Sequence, residues 1–229
     1  HMIFTSSYFG IQEDDFVKLF QVSIQFGAIL AVVALYWKKF LAFPTLKIGM
    51  NFYTKIAFAV IPALILGKLF DDKIEAVLGD PIPIAIVLII GGFVLLFVDQ
   101  YFKDKTTIVN EEDITIKKAV AIGFWQCLAM MPGTSRSAAS IIGGMQQGLT
   151  RETAAEFSFF LAVPTMFAAS AYKLLKSYKS IQTEHISLLL IGNIVAFAVA
   201  MIAIKFFIGF LTKNGFKIFG YYRIVLGLI

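Results

Sequence analysis

Residues 131–140 read MPGTSRSAAS, a polar run with an arginine at its centre, set between two apolar stretches. Ala119–Met131 supplies 13 uncharged residues leading into it, and Ser137–Thr150 supplies 14 leading out, ending at the charged pair Arg151-Glu152. Each stretch reaches roughly 20 Å as a helix at about 1.5 Å per residue, short of the roughly 30 Å hydrocarbon core of a bilayer. Joined into one helix, they would place Pro132-Gly133 in its interior, where proline removes a hydrogen bond and clashes with the preceding turn. The spacing therefore predicts a helical hairpin over about 119–150 that enters the membrane and returns, a re-entrant loop. Backbone that leaves the helix at membrane depth is tolerated only when buried in protein or lining a watery cavity. A cavity is expected at the tip.

The rest of the chain is membrane-like. Of 229 residues, 59% are hydrophobic, 24 are phenylalanine and 15% are charged, against about 25% charged in ordinary soluble domains. The charges fall in bursts between long uncharged runs, as in an integral membrane protein. In such a protein the net charge of +5 marks membrane-flanking loops and gives no reason to expect nucleic acid. Cys127 is the one cysteine, so no intrachain disulfide can form. The opening HMIFTSSYFG has no basic stretch, and no cleavable signal peptide is expected.

Uncharged runs place spans at Leu19–Trp37, Ile56–Phe70, Pro81–Val98, Phe157–Tyr172 and Ile186–Ile204. Gly91-Gly92 permits close packing in the third, and Lys68 can snorkel from the second. Phe219–Ile229 opens one more run, broken by Arg223 and too short to span, so the chain is expected to continue beyond its last residue. The expected fold is an all-α polytopic integral membrane protein, one transmembrane domain over 1–229, with about six transmembrane helices plus re-entrant hairpin. Four lysines without an acid in 38–55 place that loop inside, and the acidic 71–80 loop falls outside. Lys103–Lys118, with four lysines and four acids, then reads as a solvated cytoplasmic loop. Lys173, Lys176 and Lys179 fall outside if the hairpin enters from the cytoplasm, against the rule. Residues 15–39 overlay weakly on 152–176, Asp15 on Glu152 and Phe20 on Phe157, with Gly27 opposite Pro164. Repeats entering from opposite faces form the inverted pair of transport-like folds.

The polar run has the chemistry of an anion site. Thr134, Ser135 and Ser137 are good helix N-cap residues after the Pro132-Gly133 turn, and a helix start offers unpaired N–H groups and partial positive charge to a phosphate. Arg136 adds a planar fork for phosphate oxygens, while Ser135, Ser137 and Ser140 add hydroxyls. The same residues also suit an arginine snorkelling to a headgroup, with serines mending helix contacts. Gln25 suits either a cavity lining or an interhelical hydrogen bond. Gln126 suits the cavity or a neighbouring backbone group, and Glu156 the cavity or the dipole at the start of its helix. His185 reads as a solvated loop residue and Asp99 as a span end at the interface.

PGTSRSAAS with IIGGMQQGLTRETAAEFSFFLAVP after it, VSIQFGAILAVVALYWKKF near the start and KNGFKIFGYYRIVLGLI at the end resemble the undecaprenyl-diphosphate phosphatase family, also known for bacitracin resistance. The resemblance runs the length of the chain. It implies a bacterial inner-membrane enzyme that hydrolyses undecaprenyl diphosphate to undecaprenyl phosphate and phosphate, recycling the carrier lipid for cell-wall synthesis, with its site facing the periplasmic side. The family has Gly, any residue, then Thr after Ser-Arg-Ser, where this chain has Ala138 and Ser140. The family's other signature, rich in glutamate and ending in a Ser-Ser-Thr-Gly-His run, would precede this chain, so that His1 is either its final histidine or a cloning remnant. The expectations that follow are catalytic roles for Arg136, Ser135, Ser137 and His1. The phosphate-binding set is Gly133, Thr134, Ser135, Arg136, Ser137 and Ser140, with Gln25, Gln126 and Glu156 lining the cavity. Mg²⁺ or Ca²⁺ is the implied cofactor, with no metal ligands in this chain, so the chain alone is expected to be inactive or barely active. Expected partners are the prenyl diphosphate lipid and the bilayer, with a homodimer open. The alternative is a prenyl-phosphate lipid flippase or transporter built on the same inverted repeat.

Overall fold

The computed structural model describes residues 2–11, 14–41, 45–78, 81–103, 105–177 and 185–228. His1 lies outside them. Regular structure among the described residues is helical: α1 (Met2–Tyr8), α2 (Asp15–Ser23), α3 (Gln25–Leu35), α4 (Trp37–Leu41), α5 (Leu46–Leu78), α6 (Pro81–Phe102), α7 (Ile116–Cys127), α8 (Arg136–Gln146), α9 (Arg151–Ser177), α10 (Ile186–Asn214) and α11 (Lys217–Leu228). Among the described residues, five stretches are long and apolar enough to cross a membrane: Asp15–Leu35, Ile48–Phe70, Ile82–Phe102, Arg151–Lys176 and Ile186–Asn214. They match the five runs read from the sequence, and the sixth, C-terminal run forms the 12-residue α11. α6 shows why such helices need lipid: Ile86, Ile90, Phe93 and Phe97 all project from it exposed, a stripe at helical spacing that water would not tolerate at this size.

The chain divides into two compact units, one of His1–Phe43 with Ala162–Phe206 and one of Pro44–Leu161 with Phe207–Ile229. In the first, α2 starts on Asp14, whose carboxylate accepts from the N–H groups of Phe16 (2.7 Å) and Val17 (3.2 Å). Its run breaks at Ile24 and resumes as α3. Asn193 of α10 fills the break: its Oδ1 accepts from the Gly27 N–H at 2.9 Å, and its Nδ2 donates to Ser23 Oγ and the Leu189 carbonyl. A Cβ on Gly27 would collide with the Asn193 carbonyl, so only glycine allows α3 and α10 to approach this closely. Gln25 makes an interhelical bond, accepting from Ser170 Oγ at 3.3 Å. His185 departs from its reading as a solvated loop residue: its ring stacks on Phe16, centroids 3.8 Å apart, because an aromatic face at a helix end covers part of the imidazole.

The second unit carries the densest core, with Ile114, Ile122, Ile141, Leu149, Phe157, Phe160, Leu161, Leu211 and Phe216 all under 2% exposed or nearly so. The Gly91-Gly92 pair packs α6 against α11 as expected, since a Cβ on Gly92 would stand 2.8 Å from the Gly220 carbonyl. Three polar regions here have partners that the sequence did not show. The 103–118 segment keeps most of its described side chains exposed, but its backbone is tied down: the N–H groups of Thr107 and Ile108 donate to the Gly148 carbonyl, the Thr150 N–H donates to the Ile108 carbonyl, and Thr153 Oγ1 donates to the Val109 carbonyl. An isolated parallel bridge between Ile108 and Leu149 results. Lys55, counted with the basic loop, is 3% exposed inside α5 and donates Nζ to the carbonyls of Glu111 (3.3 Å) and Glu112 (2.7 Å). Asp99, near the end of its span, is held on both oxygens. It pairs with Arg151 at 2.7 Å and accepts from the Phe216 N–H, while Arg151 also donates to the carbonyls of Leu211 and Thr212. In the last two cases a charged side chain satisfies backbone groups at helix ends.

Candidate anion site at the tip of the hairpin

The two short helices α7 and α8, of 12 and 11 residues, form a helix–turn–helix hairpin over the predicted stretch. Thr115 caps α7, its Oγ1 accepting from the Lys118 N–H at 3.3 Å. Trp125 on α7 donates Nε1–H to Gln146 Oε1 on α8, and a Cβ on Gly143 would press into the Trp125 side chain, so the two arms lie flush. Gln126 faces inward, 3% exposed, donating Nε2–H to the Ala59 carbonyl of α5. It serves a neighbouring backbone group. Glu156 sits half-buried in the second turn of α9.

The tip is built by three features of the sequence. A short 3₁₀ turn, Leu128–Met130, ends the first arm, and the Thr134 N–H donates back to the Met131 carbonyl at 3.0 Å. Gly133 takes φ +89°, a left-handed conformation that glycine adopts without a Cβ penalty. A Cβ there would also stand 2.6 Å from the Ile84 carbonyl of α6. Ser135 then caps α8, with extended backbone and its Oγ accepting from the Ala138 N–H at 3.2 Å.

This cap decides which donors remain. Of the first four N–H groups of α8, Ala138 is held by Ser135 Oγ and Ala139 by the Ser135 carbonyl. Those of Arg136 and Ser137 have no acceptor among the described residues. The Arg136 guanidinium anchors one nitrogen, Nη1, on the Ser158 carbonyl of α9 at 3.1 Å. Among the described residues, its remaining N–H groups have no acceptor. The hydroxyls of Ser135 and Ser137 share a hydrogen bond 3.2 Å long, and Pro132 through Ala138 are half-buried rather than sealed. A guanidinium keeps its proton in proteins. Among the described residues, no carboxylate pairs with Arg136 or with Arg223, the next arginine to reach this turn. Positive charge, two free backbone donors and a hydroxyl pair thus converge on a partly open turn, which suits an anion of several oxygens.

The predicted residues do not all face this opening. Ser140 is fully buried, bonding to the Arg136 and Ser137 carbonyls and, at 2.6 Å, to Ser158 Oγ. The Thr134 N–H is held inside the turn. Two residues escaped the sequence reading. Ser158, inside the apolar run FSFF, gave no signal, since its carbonyl and hydroxyl matter only once α9 lies beside α8. Arg223 gave a weak one, a lone charge in the last apolar run, and its Nη2 donates to the Gly133 carbonyl at 2.8 Å. The site's donor set is hydroxyls and cations. Among the described residues, no group of three or more His, Cys, Asp or Glu side chains could hold a metal ion, so this cluster by itself does not fit a divalent cation.

Comparison with known proteins accords with this geometry. The chain matches the family described as Bacitracin resistance protein BacA over residues 1–229. It is 55% identical over 232 residues to a protein of Flavobacterium psychrophilum named Undecaprenyl-diphosphatase, covering 100% of this chain and 85% of that protein. It is 53% identical over 232 residues to the Flavobacterium johnsoniae protein of the same name, with the same coverage. To that of Aquifex aeolicus it is 42% identical over 230 residues, covering 100% of this chain and 88% of the relative. Matched over its whole length, with an arginine-bearing helix start as its charged centre, the chain belongs to the BacA bacitracin-resistance family.

Proposed function

We propose that this protein is an undecaprenyl-diphosphate phosphatase of the bacterial inner membrane, releasing phosphate from the prenyl diphosphate and returning the monophosphate carrier to cell-wall synthesis. The carrying observation is the start of α8. There the N–H groups of Arg136 and Ser137, without an acceptor among the described residues, and an arginine with no described carboxylate partner meet at a half-buried turn. The names of the relatives, all Undecaprenyl-diphosphatase, point to the same substrate.

In phosphoryl transfer the protein acts mainly by positioning and by neutralising charge on the transferred oxygens. The anhydride P–O bond to the terminal phosphoryl group breaks, and the lipid monophosphate leaves with the bond's electrons. Arg136 holds the non-bridging oxygens with the N–H groups at the start of α8. Its anchor on Ser158 stops the side chain from snorkelling away. Ser135, Ser137 or His1 supplies the nucleophile or aligns the water that takes its place. Ser140 keeps the first turn of α8 in register from inside. Mg²⁺ or Ca²⁺ would have to be carried by the diphosphate and by carboxylates other than this cluster, and no step here runs through it. The prenyl chain lies against apolar helix faces, and the hairpin is re-entrant, opening to the outer side of the membrane. A homodimer is compatible with this reading, which does not depend on it.

The test is phosphate release from a C55 or C15 prenyl diphosphate by the full-length protein in detergent. Arg136→Ala is expected to lower kcat/KM by about 10²-fold or more, the usual cost of removing a preorganised charge-stabilising donor. Release that survives this change untouched refutes the site. Labelled lipid that changes leaflets without phosphate release would make the protein a flippase.

A further inference from the structure

Beyond Arg136, the geometry points to Arg223 as a positioning residue of the same site, an inference that rests on the phosphatase reading. Arg223 lies on α11, more than nine-tenths buried. Its guanidinium lies against the backbone of Gly91 in α6, where a Cβ would stand 2.5 Å from Nη2 and 3.2 Å from Cζ. The slot exists because α6 and α11 are ground down to backbone where they meet, at Gly92, Gly220 and Gly227. Through that slot Nη2 donates to the Gly133 carbonyl at 2.8 Å and, more loosely, to the Val87 carbonyl at 3.5 Å. Nε is buried with no acceptor among the described residues.

A buried cation with an empty donor and no described carboxylate partner is costly at membrane depth, and such residues are kept for function. What it holds is specific. The Gly133 carbonyl belongs to the left-handed residue that turns the chain into α8. Fixing that peptide sets the direction in which Ser135, Arg136 and the free N–H groups of the helix start emerge. Arg223 therefore acts through the turn, and its charge adds to the positive potential there.

Two kinds of variant separate this role from bulk structure. Arg223→Lys keeps the charge but loses the fork. Gly91→Ala keeps the arginine and displaces its head from the slot. Both, with Arg223→Gln, are to be made in the full-length protein, checked for melting temperature and size in detergent, and assayed for phosphate release from C15 prenyl diphosphate. Misplacing a catalytic group by an ångström costs about 10²-fold. We expect kcat to fall by about 10–100-fold in Arg223→Lys and in Gly91→Ala, with KM within about threefold of the parent. Arg223→Gln should lose kcat and raise KM. If all folded variants keep kcat within about twofold while Arg136→Ala is inactive, the inference falls and the site stands. If Arg223→Lys restores kcat fully, its charge alone matters and positioning is refuted. If the unmodified full-length protein releases no phosphate, the phosphatase reading itself has failed, and this inference falls with it.

Discussion

Arg136 shows how one residue gets both a charge and an address. Its charge is intrinsic, but its place depends on a single bond from Nη1 to the Ser158 carbonyl, which leaves the rest of the fork for a ligand. Ser140 shows the opposite allocation. Its hydroxyl matches the family's threonine, yet it is fully buried between two backbone carbonyls and Ser158. Ser140→Ala should lower unfolding stability by about 1–2 kcal/mol, the range for a buried hydroxyl left without its partner. KM for the lipid should move less than about twofold, and a melting curve beside a Michaelis curve reads both. Gly133 is constrained twice over. Gly133→Ala must adopt φ +89° with a Cβ against the Ile84 carbonyl. A left-handed alanine alone costs about 1–2 kcal/mol. The expected result is a folded protein of lowered melting temperature with activity reduced by about 10²-fold.

At the scale of elements, glycine decides which helices touch. Gly92 and Gly220 bring α6 and α11 to backbone contact, as Gly123 does for α7 against Ala59 of α5. In lipid, apolar side chains gain little by leaving the surrounding tails, so association relies on such close packing. Gly92→Leu should therefore cost about 1–3 kcal/mol by overpacking, seen as a lower midpoint in detergent denaturation, and should impair activity through the turn that α11 holds. The helix breaks are equally built. Ile24 is bridged by Asn193, which satisfies backbone where no water would repair it, and the hairpin tip is closed by Thr134 onto Met131, with the Arg136 and Ser137 N–H groups left open.

At the scale of the whole chain, the second unit is tied where four helices end. Asp99 of α6 binds Arg151 at the start of α9, Arg151 binds the last turn of α10, and the other Asp99 oxygen takes the Phe216 N–H ahead of α11. Side-chain exposures of 27% and 16% place the pair between a surface bridge, worth under about 1 kcal/mol, and a buried one, which costs about 3–5 kcal/mol to break from one side. Asp99→Ala is expected to cost about 2 kcal/mol, measured as the shift in thermal midpoint of the detergent-solubilised protein. Asp99→Asn, which keeps the acceptor for Phe216, should cost less.

Much of this was legible because the bilayer imposes simple rules. Runs of apolar residues had to become helices, since unpaired backbone is too costly in lipid, and Pro132-Gly133 between two short arms had to become a turn. Arg136 stood out because an arginine at membrane depth is expensive without a role. The sequence by itself thus determined the helical class, the five spans, the hairpin and the arginine at its tip. Only the tertiary structure decided what each polar group faces. Ser140 and Gln126 turned inward, Lys55 and Asp99 went to helix ends, and Ser158 and Arg223 came from distant segments to hold the site. The physical reason is that burial and hydrogen-bond partners depend on which helix lies alongside, and small residues scattered along the chain set that choice.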